Sequence, residues 1–236
     1  MSGRGSGRQC RISQCCALSL AKAWRPVDHN GMNTSNQTPN RQALPFALSL
    51  ILTAAMSQTG CGNDSALDRQ EQGMALLEFA ERGDVSALDT LLKRNTDTNY
   101  RDSCHWTPLM KAALNGHNDA VRHLLDAGAD ADAADKGGYT SLMLAASNNH
   151  VDTVALLLDQ GAMIDAQEQT QGFTALVWAA QRGHRETVAL LLARGADRTL
   201  PDFEGKNAAQ RAAEQEHAAV QALLTAEVPQ ATASEG

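Results

Sequence analysis

A seven-residue phrase returns at nearly constant intervals along this chain, and that recurrence limits the fold more than any other feature. Thr107-Pro108-Leu109-Met110-Lys111-Ala112-Ala113 comes back as Thr140-Ser141-Leu142-Met143-Leu144-Ala145-Ala146 and as Thr174-Ala175-Leu176-Val177-Trp178-Ala179-Ala180. A fainter echo follows, Asn207-Ala208-Ala209-Gln210-Arg211-Ala212-Ala213, and the four phrases begin 33, 34 and 33 residues apart. A period of this size means stacked supersecondary units, each too small to bury its apolar face without its neighbours.

Each unit reads as two helices. Thr107 is placed to cap the first, and Pro108 takes the first helical position, where its missing N–H costs nothing. Leu109, Ala112 and Ala113 form one apolar face, and Gly116, with Asn149 and Gly183 at the same place later on, ends the helix. The second helices carry Val121/Leu124/Leu125, Val154/Leu157/Leu158, Val188/Leu191/Leu192 and Val220/Leu223/Leu224, an i, i+3, i+4 stripe repeated at the same period. Gly128, Gly161 and Gly195 close the first three of these helices, and Asn95 holds the matching place in the first unit.

Period and wording resemble the ankyrin repeat, with its 33 residues and Thr-Pro-Leu-His-x-Ala phrase. The resemblance implies an all-α solenoid of about five helix-turn-helix repeats with β-turn fingers, here over residues 72–226. Residues 61–71 then read as a linker and 227–236 as a disordered tail. The unit beginning near Met74 lacks the phrase. The unit from Gly205 places Gln210 and Arg211 where apolar residues stood, as terminal repeats with polar outer faces require.

Charge is divided unevenly along the chain. Residues 1–60 hold six Lys or Arg against Asp28 alone, net +5, whereas residues 61–236 hold 14 basic and 26 acidic residues, net −12. An acidic body with no basic stripe argues against a nucleic-acid partner. The apolar run of residues 43–56 is too short to cross a bilayer and has the length of a signal-peptide core. Ser57-Gln58-Thr59-Gly60-Cys61 follows, and Gly60-Cys61 resembles a bacterial lipoprotein signal, whose cysteine is lipidated and becomes the first mature residue. Gln58 departs from that family, which prefers an aliphatic residue there. On this reading residues 1–31 are an upstream extension, 32–60 a signal peptide starting at Met32, and Cys61 the lipid anchor of an envelope-tethered periplasmic protein. The alternative is a cytoplasmic protein with a free N-terminal arm.

Candidate chemistry is sparse, and no catalytic, metal or cofactor site is expected. His117, His150, His184 and His217 recur at one repeat position. Helices stacked about 8–10 Å apart keep such imidazoles from sharing an ion that needs bonds near 2 Å. The resemblance assigns them to hydrogen bonds between loops. Cys104-His105 offers no placed acid, and His105 falls where Gly138, Gly172 and Gly205 make turns, so a turn role is expected. No phosphate-cradling loop, metalloprotease helix or nucleophile elbow occurs.

One slot is less plain. Trp106, Tyr139 and Phe173 precede three successive phrase threonines, at the place from which the ankyrin finger faces its groove. Either each ring packs over its own turn, or the three form a row of exposed anchors that turn-tip substitution could remove without unfolding the domain. In the second case Trp178 joins them, and Lys136, Gln181, Arg182 and Lys206 set register. The third return loop is one residue longer than its neighbours, so Gln167–Gln171 should protrude or kink. The function expected is a non-enzymatic groove for a protein partner; the alternative is a cytosolic regulatory or inhibitory subunit of an enzyme.

Overall fold

A computed structural model describes residues 64–226. The extension, the apolar run, Cys61 and the tail from 227 therefore lie outside the described residues. Ten helices follow one another in pairs: α1 (Asp64–Arg82) with α2 (Val85–Leu92), α3 (Pro108–Asn115) with α4 (Asn118–Asp126), and α5 (Ser141–Ser147) with α6 (Val151–Asp159). The last two pairs are α7 (Ala175–Gln181) with α8 (Arg185–Ala193), and α9 (Ala208–Glu214) with α10 (Ala218–Thr225). The first helices pack α1–α3–α5–α7–α9 as an inner row and the second helices α2–α4–α6–α8–α10 as an outer row. This is the solenoid of five pairs that the periodicity implies.

The recurring phrase acts first as a capping device. Thr107, Thr140, Thr174 and Asn207 accept from the backbone N–H three residues on, at 3.2, 3.4, 3.3 and 3.0 Å. Each satisfies one of the donors that a helix start leaves open. Behind the caps, Leu109, Leu142 and Leu176 of the inner row meet Val121, Val154, Leu157, Val188 and Leu191 of the outer row in one continuous core. The alanines of the central inner helices α3, α5 and α7 are fully or almost fully buried, which lets neighbouring inner helices lie close.

The repeated histidines tie the units together. The Nε2–H groups of His117, His150 and His184 donate to the carbonyls of Glu81, Leu114 and Ser147 in the preceding unit, each at 3.0 Å. Their rings need room. A Cβ built on Gly116 would lie 2.4 Å from the His150 ring, and Gly116 sits at φ +69°. Glycine there meets both the left-handed backbone and the ring above it.

The ends differ from expectation in two places. The first helix begins at Asp64, well before the boundary drawn at 72, so most of the expected linker is helix. Tyr100 packs against this helix so closely that a Cβ on Gly73 would come within 2.2 Å of its ring. At the other end Gln210 is exposed, as a capping unit requires, but Arg211 is only 8% exposed. It turns inward because Asp202, itself buried, accepts from its Nε at 2.6 Å.

Candidate functional site

The fingers between the helix pairs share one design. A carboxylate at the finger base accepts backbone N–H groups from the turn it supports. Asp102 takes those of Cys104 and Trp106 at 2.8 and 2.9 Å, and Asp135 those of Gly137 and Tyr139 at 2.8 and 2.9 Å. Asp202 takes those of Glu204 and Lys206 at 2.8 and 3.0 Å. Burial pushes the Asp135 carboxyl above its ordinary range, against the pull of the N–H groups that surround it. The turn position falls on His105, Gly138, Gly172 and Gly205, with φ of 67°, 84°, 75° and 78°, so His105 is a turn residue as expected.

Successive fingers are also joined backbone to backbone. Lys136 donates its N–H to the Cys104 carbonyl (3.2 Å), Gln169 to Gly137 (2.8 Å) and Phe203 to Gln171 (2.9 Å). In the second finger the donor Lys136 and the acceptor Gly137 are adjacent. In the third, Thr170 stands between the donor Gln169 and the acceptor Gln171, which identifies Thr170 as the extra residue of the longer loop. The loop neither breaks the ladder nor leaves it, because Glu168 replaces aspartate at the finger base. Its longer side chain reaches the N–H groups of Thr170, Gln171 and Phe173 at 2.5, 2.7 and 3.1 Å, and the Thr170 hydroxyl as well.

The aromatic slot corrects the sequence reading. Trp106, Tyr139 and Phe173 are 4%, 8% and 1% exposed, so they do not offer free rings to a partner. The reason is the residue one turn into each first helix: Lys111, Leu144, Trp178 and Arg211 reach back over the rings. Lys111 Nζ lies 5.0 Å from the Trp106 ring, and Leu144 packs with Trp106 and Met110. The Trp178 indole stands edge-on to Phe173 at 5.2 Å and tilted against Tyr139 at 5.9 Å, while Arg211 lies 5.0 Å over Phe173. The rings do run along one face, but as an interlocked layer beneath it. Turn-tip aromatics were expected to carry little core; Phe173 is instead part of the main core, and Trp106 joins Met110, Ala133 and Leu144 in a second, smaller one.

The other candidates divide by what they touch. Lys136 is exposed at the tip of the second finger. Trp178, Gln181 and Arg182 are half-buried on and just after α7, with the Arg182 guanidinium 5.8 Å over the Trp178 ring. Lys206 is held by Glu204 at 3.1 Å and by Glu214, which makes it part of the C-terminal ion network rather than a free register residue. Sequence reasoning passed over Leu114, half-buried on α3 beside the Trp106 cluster, and Phe203, 65% exposed at the fourth finger tip. Phe203 shares the tip slot with Lys136 and Gln169. Reading that slot, rather than the aromatic one, would have found it.

A family model of ankyrin repeats (three copies) matches residues 76–168 and again residues 163–232. The chain belongs to the ankyrin-repeat family. Its stack is accordingly a protein–protein interaction module. No curated protein matches the chain. Among the described residues no group of three or more His, Cys, Asp or Glu is placed to hold a metal ion, and no helix is long and apolar enough to cross a membrane.

Proposed function

We propose that this ankyrin-repeat protein is a non-enzymatic binding protein, exported and tethered by lipid at Cys61 to a bacterial cell envelope, with a protein partner seated in the groove of its fingers and inner helices. The observation that carries the groove assignment is a contrast between slots. Positions with structural work repeat almost unchanged: the capping threonines, the bridging histidines and the carboxylates at the finger bases. The slot one turn into each inner helix instead reads Lys111, Leu144, Trp178, Arg211, of which Lys111 and Trp178 are half-buried and open to the groove, and the exposed finger tips read Ser103, Lys136, Gln169, Phe203. A surface whose chemistry changes from unit to unit while its frame does not is suited to recognising one partner. The envelope assignment rests on the apolar run at 43–56 and the Gly60-Cys61 junction.

Two measurements test this reading. The full chain expressed in a Gram-negative host should fractionate with the envelope, and Cys61→Ser should release or mislocalise it. A soluble cytoplasmic chain in both cases would favour the regulatory-subunit alternative. Cross-linking from Leu114 or Lys136 should capture a protein partner, whereas cross-linking from Arg122 on the outer row should not.

A further inference from the structure

The acidic charge of this chain is kept off the groove. Residues 104–116, 136–149 and 169–183, which supply the tips and inner helices of the three central units, contain no Asp or Glu. The carboxylates that precede these segments in sequence, Asp102, Asp135 and Glu168, are occupied by backbone N–H groups at the finger bases, and Glu81 on α1 reaches the first segment only to pair with Lys111. Acids are plentiful on the outer row, where α4 carries Asp119 and Asp126 and α6 carries Asp152 and Asp159. The central groove is therefore a strip that supplies no carboxylate of its own, on a domain whose overall charge is strongly negative.

Within that strip Arg182 differs from its neighbours on the inner row. Arg82 is paired with Glu78, Lys111 with Glu81 at 3.4 Å, and Arg211 with Asp202 at 2.6 Å. Arg182 has no carboxylate within 4.0 Å among the described residues. Its guanidinium is half-buried over the Trp178 indole, and burial alone draws its pKa below the ordinary arginine value. A guanidinium remains ionised at such a site. It has lost part of its hydration and gained no ion pair, so a complementary anion would recover what burial cost. Beside it, Trp178 and Leu114 present half-buried apolar surface, with Leu144 between them on α5.

We infer that the occupant of the groove is an acidic, partly apolar segment of a protein, which lays an apolar side chain on the Leu114–Trp178 strip and gives a carboxylate to Arg182. This rests on the groove reading above and names the chemistry of its partner. The planar guanidinium takes both oxygens of one carboxylate. A dianionic phosphoryl group would call for a cluster of arginines, and one guanidinium is present. Lys136 at the neighbouring fingertip adds a second, exposed positive charge along the same strip.

The test selects from a displayed library of random twelve-residue peptides on the full chain, on Arg182→Gln, on Arg182→Glu and on Leu114→Glu, with circular dichroism confirming that each variant is folded. Peptides chosen by the wild-type chain should be enriched in Asp or Glu beside an apolar residue and should bind Arg182→Gln about tenfold or more weakly. Selection on Arg182→Glu should replace the acid with Lys or Arg. Peptides that need Leu114 but show no acid enrichment, or that bind Arg182→Gln equally well, overturn the carboxylate while leaving the groove standing. Peptides indifferent to Leu114→Glu, or no selection at all, overturn the groove reading and this inference with it.

Discussion

Glu168 and Thr170 should behave as a matched pair, and breaking the match should be costly in either direction. Glu168→Asp withdraws the carboxylate by about 1.5 Å, the length of one carbon–carbon bond. The 2.7 and 3.1 Å contacts with the N–H groups of Gln171 and Phe173 then open beyond hydrogen-bond reach unless the finger contracts. Bonds to a charged acceptor contribute about 1.5–3 kcal/mol each, so losing one or two of them should cost about 1.5–6 kcal/mol. Deleting Thr170 from Glu168→Asp gives the third finger the length and the acid of the other three, and stability should return to within about 1 kcal/mol of wild type. Deleting Thr170 alone should also destabilise, because the longer carboxylate then overshoots a shorter turn. Urea unfolding followed by far-ultraviolet circular dichroism reads all four chains on one scale. The reasoning fails if Glu168→Asp costs less than about 0.5 kcal/mol, or if removing Thr170 leaves the aspartate variant no better.

Three further outcomes are expected. Phe173→Ala should cost about 3–5 kcal/mol in urea melts, and Trp178→Ala less, because Phe173 is 1% exposed and Trp178 is half-buried. Equal small costs would return the ring to the surface. Leu157→Ala, fully buried in the central unit, should cost about 2–5 kcal/mol, and Leu223→Ala, part-exposed in the last helix, measurably less; a reversed order in the same melts would contradict the stacking order. Burial holds the His184 imidazole below its ordinary value of 6.5, outweighing the Ser147 carbonyl that favours the charged ring. The unfolded chain then takes up this proton first, so the contribution is present above that value and is lost as pH falls through it. The wild-type urea midpoint should fall from neutral to mildly acidic pH more steeply than that of His184→Gln, which lacks this group, and an unchanged slope would count against the assignment.

The repeating frame was written in local chemistry, which is why the sequence determined it. Thr107, Thr140 and Thr174 act on donors three residues away, and the Val-x-x-Leu stripes act through helical periodicity, so neither needs knowledge of distant contacts. His105 could be read as a turn residue because glycine holds its slot in the other fingers. The bridging histidines were legible from their fixed place in each unit and from the family resemblance.

What the sequence could not decide was which side of each residue faces a neighbour. Trp106, Tyr139 and Phe173 share the slot before the phrase threonines, where single-unit reasoning leaves packing over the turn and exposure both open. Lys111 covers Trp106 from within its own unit, but only stacking brings Leu144 against Trp106, Trp178 against Tyr139 and Arg211 over Phe173, so burial of these rings also depends on the unit that follows. Arg211 turned from a surface charge into a buried group that pairs with Asp202 of its own finger and lies over Phe173 of the preceding unit. The extra residue of the third finger was visible in the spacing, but its accommodation was not, because Glu168 gains meaning only when the finger ladder shows which donors it must reach. Position within a unit is a one-dimensional fact; exposure and pairing in a solenoid depend on the unit next to it.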